Sequence, residues 1–305
     1  MITTKRFMLF ILFFSYTSIN HLSMALAQDT RSELFYQTYQ GEQFIDAIVN
    51  YNQYKHDASR SSSLPDFNYS DISLKLAYEY GLLDMISVYG SLNLGKEKID
   101  DLFQFNGLSS LNLGAKYRFK FQSSSFFSRM NLGLGIWDKL DCSAGGPTTP
   151  VKCNRIDQSI NLSLLAGYMF QFEEAYLGFS IESGIFSTKG KTDLAGGSEF
   201  KKSPSSIATI FYEKILGDSI WGGSLQYIRS SFGGHEGDSL ASGLFFNKDS
   251  EYVQFARVKT YARIPILPEL HLLGEVHYNY ILKQDSSDFD GGYGLGAKAG
   301  VRYSF

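Results

Sequence analysis

Apolar residues recur at every second position through much of the chain. Ile72, Leu74, Leu76, Tyr78 and Tyr80 alternate with Ser73, Lys75, Ala77 and Glu79. Leu111, Leu113, Ala115, Tyr117, Phe119 and Phe121 alternate with Asn112, Gly114, Lys116, Arg118 and Lys120. The same period runs through Ile160, Leu162, Leu164, Ala166, Tyr168, Phe170 and Phe172, and through Tyr293, Leu295, Ala297, Ala299, Val301, Tyr303 and Phe305. A period of two places one set of side chains on each face of a strand, and a helix would not distribute its charges this way. Further strands are predicted to begin near Phe44, Met85, Phe126, Ala175, Ser206, Ser219, Tyr252 and Leu270, which makes twelve in all.

The connections sort by length. Residues 81–84, 122–125, 173–174, 216–218 and 265–269 are short breaks, whereas 56–68, 96–107, 138–157, 188–205, 230–250 and 283–290 are longer. Short periplasmic turns opposite long external loops, with an even strand number, describe an all-β transmembrane antiparallel up-and-down barrel of about twelve strands. A soluble β-sandwich also alternates within its strands, but does not segregate its connections in this manner.

The N-terminus adds a compartment. Lys5 and Arg6 precede an apolar run at 7–14, and Ala25, Leu26 and Ala27 offer a small-residue cleavage site. That run is shorter than the roughly 20 residues of a spanning helix, so a signal peptide is expected rather than an anchor. The expected organisation is a signal peptide at 1–27, a short periplasmic segment at 28–42 that could also sit in the lumen, and an outer-membrane barrel at 43–305. Losing Lys5 and Arg6 moves the formal charge from −3 to −5, a mild value that names no polyanionic partner and argues against nucleic acid. The chain is 15% aromatic and has 29 Gly against 6 Pro, a balance that suits strands facing lipid and lumen.

The two cysteines, Cys142 and Cys153, fall in a polar stretch with Gly145, Gly146, Pro147 and Pro150. In an exported chain they are expected to close a disulfide across the third external loop. Metal binding by two thiols would need further ligands, and neither a His nor a third Cys lies nearby in sequence.

Tyr80, Phe121, Phe172, Tyr212 and Phe305 fall where strands reach the short-turn side and read as an interfacial girdle. The terminal Tyr303-Ser304-Phe305 resembles the signature by which barrel-assembly machinery recognises bacterial outer-membrane barrels for insertion. A second resemblance lies at 80–119, in Tyr80-Gly81-Leu82-Leu83-Asp84-Met85-Ile86-Ser87-Val88 and Gly107-Leu108-Ser109-Ser110-Leu111-Asn112-Leu113-Gly114-Ala115-Lys116-Tyr117-Arg118-Phe119. These runs resemble the barrels called phenol-degradation meta-pathway proteins, with Ser109 and Ser110 in place of that family's usual Gly-Asp. The resemblance implies outer-membrane transport of small, including aromatic, solutes.

Catalytic patterns are weak. No His-x-Ser-Asn-Gly arrangement and no Gly-x-Ser-x-Gly elbow occurs. His235-Glu236-Gly237-Asp238-Ser239 is one compact cluster of potential ligands or bases, and reads better as a solvated loop. His271, Glu275 and His277 share a strand face, where ordinary lumen polarity is the simpler account. The glycines at 291, 292, 294 and 296 lead into a strand rather than a helix, which removes the phosphate-loop reading. Gly294, Gly296 and Gly300, like Gly133 and Gly135, share inward parity and are expected to leave lumen space or receive a neighbouring aromatic.

Inward charge is the most informative constellation. Parity places Lys75, Lys116, Arg118, Lys120, Arg129, Arg257, Lys259, Arg263, Lys298 and Arg302 in the lumen, against Asp46, Glu79, Glu182, Glu213 and Glu275. Two accounts stay open: a wall of structural salt bridges, or an electropositive lumen that favours anions. Twelve strands lie between the eight whose side chains fill the interior and the sixteen or more that leave a wide channel. The expectation is a channel or facilitated-uptake barrel for small solutes, without cofactor or metal. Its expected partners are outer-membrane lipid and LPS, the assembly machinery and a small solute. The alternatives are a surface enzyme acting on lipid or LPS, and a structural or adhesive barrel acting through its loops.

Overall fold

The computed structural model describes residues 31–58, 66–99, 103–136, 139–142, 151–153, 157–190, 203–230, 253–284 and 289–305. Twelve long strands form a closed barrel: β1 (Gln43–Ala58), β2 (Phe67–Leu83), β3 (Ile86–Ile99), β4 (Phe103–Lys120), β5 (Ser124–Ile136), β8 (Asp157–Gln171), β9 (Ala175–Gly190), β10 (Ser203–Leu216), β11 (Ser219–Ser230), β12 (Val253–Leu267), β13 (Leu270–Gln284) and β14 (Phe289–Ser304). Every barrel strand pairs antiparallel with its neighbour in sequence, and β1 pairs with β14 to close the ring. Closure removes every edge, so the backbone is satisfied within the sheet even in lipid. Two short strands, β6 (Lys139–Cys142) and β7 (Val151–Cys153), form a hairpin beyond the end of β5.

In that hairpin Cys142 stands opposite Val151 and Cys153 opposite Leu140, so the two cysteines are diagonal rather than directly opposed. Their side chains lie outside the described residues, and no disulfide occurs among those described. His56 is described in its backbone alone, and the 235–239 cluster lies wholly outside the described residues.

The alternation translates directly into two faces. Ile72, Leu74, Leu76 and Tyr78 point outward and are exposed, as are Ile160, Leu162 and Leu164, while the intervening Asp71, Glu79 and Ser163 are buried inside. An apolar outer face around a polar interior is the arrangement that a lipid surround stabilises. Short turns join the strands at one end. Gly217 takes φ +61° in the β10–β11 turn, a left-handed conformation that glycine adopts without Cβ strain.

Inside the barrel, aromatic side chains lie over glycines of a neighbouring strand. Phe127 covers Gly167, Phe211 covers Gly178, Tyr261 covers Gly222, Tyr89 covers Gly114 and Tyr54 covers Gly294. A methyl group on Gly167 would meet Phe127 Cζ at 2.2 Å and the Phe179 carbonyl oxygen at 2.6 Å. Gly167→Ala is therefore expected to cost about 1–3 kcal/mol through overpacking. Gly274→Ala, where nothing lies within 4 Å, is the matched control. Thermal unfolding in detergent reads the difference, and equal midpoints would contradict the packing argument.

Candidate functional site

The segment 31–42 does not hang below the barrel but enters it. Its carbonyls and amides first dock on the short-turn rim, where Gly41 N–H donates to the Gly81 carbonyl (2.9 Å) and Gly81 N–H donates to that of Glu42 (2.9 Å). Ser32, Tyr36, Gln37 and Thr38 are then buried in the lumen. One side of the segment is apolar: Leu34 and Phe35 pack on a nest formed by Phe127, Leu165, Met169, Tyr176, Phe211, Ile215 and Ile220 of β5 and β8–β11. The Phe35 ring stacks on Phe127 at 3.4 Å between centroids and meets Phe211 edge-on at 5.0 Å.

The other side of the segment is polar and meets the charged wall. Glu33 Oε2 lies 3.0 Å from Arg302 Nη1 and 3.5 Å from Arg263 Nη1. Arg263 Nη2 donates to the Arg31 carbonyl (2.9 Å), and Leu34 N–H donates to Glu213 Oε1 (2.9 Å), which also accepts from the Tyr261 hydroxyl (2.8 Å). Thr38 N–H donates to Glu79 Oε1 (3.1 Å), and Lys116 Nζ donates to the Tyr36 carbonyl (2.7 Å). The Tyr36 ring receives three guanidinium groups, with Arg302 at 4.0 Å, Arg31 at 4.4 Å and Arg263 at 4.9 Å from its centroid. Cation–π contact of this kind gains strength where water is excluded. Segment and barrel thus form a single closure at the short-turn end.

Beyond the closure lies a cavity of about 470 Å³. Its wall divides by strand. The side built from β1–β5 carries amides and hydroxyls linked in a ladder, where Asn93 Nδ2 donates to Ser110 Oγ (2.7 Å), Asn50 Nδ2 to Ser73 Oγ (3.2 Å), and the Tyr89 hydroxyl to Asn131 Oδ1 (3.0 Å); charged Asp71 and Lys75 of β2 and Arg129 of β5, the last paired with Glu182, stand among them. The side built from β12–β14 carries Arg257, Lys259 and Lys298 around Glu275.

The fifteen charged residues expected in the lumen fall into three zones. At the rim, Arg118 lies beneath the Tyr39 ring (5.3 Å) and Lys120 is exposed at the end of β4. At the closure, Lys116 pairs with Glu79, Arg302 binds Asp46 through two bonds of 2.8 and 2.9 Å, and Arg263 and Glu213 hold the segment. Around the cavity, Arg129 pairs with Glu182 (3.0 Å), Lys259 and Lys298 reach Glu275 at 3.2 and 3.3 Å, Arg257 Nε donates to Asn279 Oδ1 (2.5 Å), and Lys75 lines the wall. His277 Nδ1 is 3.3 Å from the same Glu275, a carboxylate already held by two ammonium groups.

Sequence reasoning did not assign roles to Arg31, Glu33, Phe35 and Tyr36, which make the closure, nor to Asp71 and the asparagines of the cavity. The signal for the first group was present: three consecutive apolar residues, Leu34-Phe35-Tyr36, preceded by Arg31 and Glu33 and too short for a strand. Inward Ile207, Phe211 and Ile215 also explain why alternation is poor along β10: Phe211 and Ile215 belong to the nest that receives Leu34 and Phe35, and Ile207 lines the cavity.

No family model and no curated protein matches this sequence. Among solved structures, the chain is similar to the translocator domain of the autotransporter NalP from Neisseria meningitidis, with TM-score 0.60 and 11% identity over 89% of this chain and 91% of that one. It is similar to the COG4313 outer membrane channel from Pseudomonas putida F1, with TM-score 0.56 and 13% identity over 91% of this chain and 100% of that one. It is also similar to the transport unit of the autotransporter AIDA-I from Escherichia coli, with TM-score 0.56 and 12% identity over 96% and 97%. At these identities the likeness is one of fold. The chain is a closed twelve-stranded antiparallel barrel, the fold that it shares with these outer-membrane barrels.

Proposed function

We propose that this barrel is an outer-membrane channel for small polar solutes, with a preference for anions, held shut at its periplasmic end by residues 31–42. The observation that carries the reading is the lumen itself: a polar cavity closed by a non-covalently docked segment rather than by a filled core. A segment of this kind can leave without breaking any strand pairing. Export through the 1–27 leader, insertion through recognition of Tyr303 and Phe305, an outer face against lipid and LPS, and a Cys142–Cys153 disulfide belong to the same proposal. Kinship with the phenol-degradation meta-pathway barrels, resting on residues 80–119, is also part of it. The asparagine-rich wall favours a hydrogen-bonding solute over a bare aromatic ring, whose transfer would leave these amides unserved.

The anion preference is tested by reversal potential in a salt gradient across a planar bilayer. The expected sign is anionic, and Arg257→Gln with Lys298→Gln should reduce it more than Arg118→Gln with Lys120→Gln. The first pair lines the cavity on the β12–β14 side, whereas the carboxylates that line it, Glu33, Asp46, Asp71, Glu79 and Glu182, stand on the closing segment and on β1, β2 and β9. The second pair stands at a hydrated rim, where charge is screened within about 10 Å. Cation selectivity in the unmodified protein would overturn the reading.

A further inference from the structure

We infer that the cavity is a binding site for polyhydroxylated carboxylates of the sugar-acid class, with the carboxylate on the β12–β14 wall and the hydroxyl groups on the β3–β5 wall. The inference rests on the channel reading for its biological setting and on the division of the cavity wall for its chemistry. The two walls face each other by topology, since β12 and β13 lie six places from β4 and β5 around a ring of twelve. A molecule in the cavity therefore meets one wall with each end.

On the basic wall, cross-strand register sets Arg257 beside Asn279, Lys259 beside His277, and Glu275 beside Lys298. Glu275 lies within 3.3 Å of both ammonium groups, and so holds them in place while leaving this wall with three cations to one carboxylate. A second carboxylate, brought by a solute, would lessen the excess to three cations against two, and charge-assisted hydrogen bonds are the stronger kind. An amine or a neutral sugar supplies no such charge.

On the opposite wall, Asn93, Asn112 and Asn131 are tied into place by Ser110, Ser91 and the Tyr89 hydroxyl. Fixed primary amides present both donors and acceptors, which matches the dual character of an alcohol and nothing on a benzene ring. Gly133 enlarges this wall at the same level: a methyl there would meet Asn112 Oδ1 at 2.7 Å. The pairing of a cationic wall with an amide wall selects a solute that is anionic at one end and hydroxylated along its length. Simple inorganic anions and aromatic acids bring no hydroxyl groups for the amides to pair with.

The test uses the full-length protein purified in detergent, with binding of sodium gluconate, sodium benzoate and sorbitol measured by isothermal titration. Gluconate is expected to bind about tenfold more tightly than either of the others, the worth of one good hydrogen bond to a charged group or of several to hydroxyls. Lys298→Gln should weaken gluconate and benzoate together, whereas Asn131→Ala should weaken gluconate alone and so narrow its lead over benzoate. Equal binding of benzoate and gluconate, or no binding of gluconate, overturns the inference. Uptake of the same solutes by reconstituted vesicles separates the two proposals: gluconate binding without uptake of any solute would defeat the channel reading and leave the site, while unselective uptake without gluconate binding would defeat the site and leave the channel.

Discussion

Phe35→Ala is expected to raise the open fraction of the lumen by roughly 30-fold. The ring of Phe35 supplies the main apolar contact between the closing segment and the barrel, lodged among Phe127, Phe211 and their neighbours. Burying a phenylalanine is worth about 1.5–3 kcal/mol, and a loss near 2 kcal/mol corresponds to about a 30-fold change in an equilibrium. The undocking equilibrium bears that loss, because the nest is part of the barrel wall and persists when the segment leaves. Single-channel recording should therefore show longer and more frequent openings, with strand content unchanged by circular dichroism. Deletion of residues 31–40 should give the limiting state, open throughout. A deletion that conducts no better than the intact chain would show that the segment is not what closes the lumen.

Much of the barrel could be read from periodicity because lipid imposes it. Where the outer face must be apolar and the inner face polar, as at Ile72–Tyr80 or Leu111–Phe121, the pattern leaves one assignment of faces. It weakens where the lumen also needs apolar groups. Ile207, Phe211 and Ile215 face inward beside outward Ile210, Tyr212 and Leu216, so β10 shows no clean alternation although its pairing is regular. The closing segment is a different case. Leu34, Phe35 and Tyr36 have neither helical nor strand period, and the partners of the segment lie up to 269 residues away, as for Glu33 and Arg302.

Parity specifies which face a charge occupies but not what it meets. Lys116, Arg118 and Lys120 look equivalent along one strand, yet they end respectively on Glu79, beneath Tyr39 and at the exposed rim. Carboxylates pair with the cations near the closure, while Lys259 and Lys298 share Glu275 beside the cavity. That division depends on vertical position along the strands, a coordinate that the shear of the barrel sets and that alternation does not carry.

The largest loss of stability is expected at Arg302. Asp46 and Arg302 are register partners across the β1–β14 seam, where the first and last barrel strands meet. The guanidinium grips Asp46 through Nε and Nη2, reaches Glu33 through Nη1, and lies on the Tyr36 ring. Arg302 and Asp46 are both buried, at 5% and 6% exposure, so removing the cation leaves a carboxylate that water cannot properly solvate. Arg302→Leu should thus cost about 3–5 kcal/mol, the usual penalty for orphaning one partner of a buried pair. Replacing both residues by leucine should restore most of the loss, because no uncompensated charge then remains at the seam. Glu33→Gln should behave differently: the Asp46–Arg302 bonds survive, so the barrel keeps its unfolding midpoint while the closing segment loosens and conductance rises. Unfolding in detergent, followed by the mobility shift between folded and unfolded barrel, measures the first two variants, and bilayer current measures the third. If the double leucine variant unfolded as readily as Arg302→Leu, the loss would lie in packing rather than in the stranded carboxylate, and the seam would owe nothing to this ion pair.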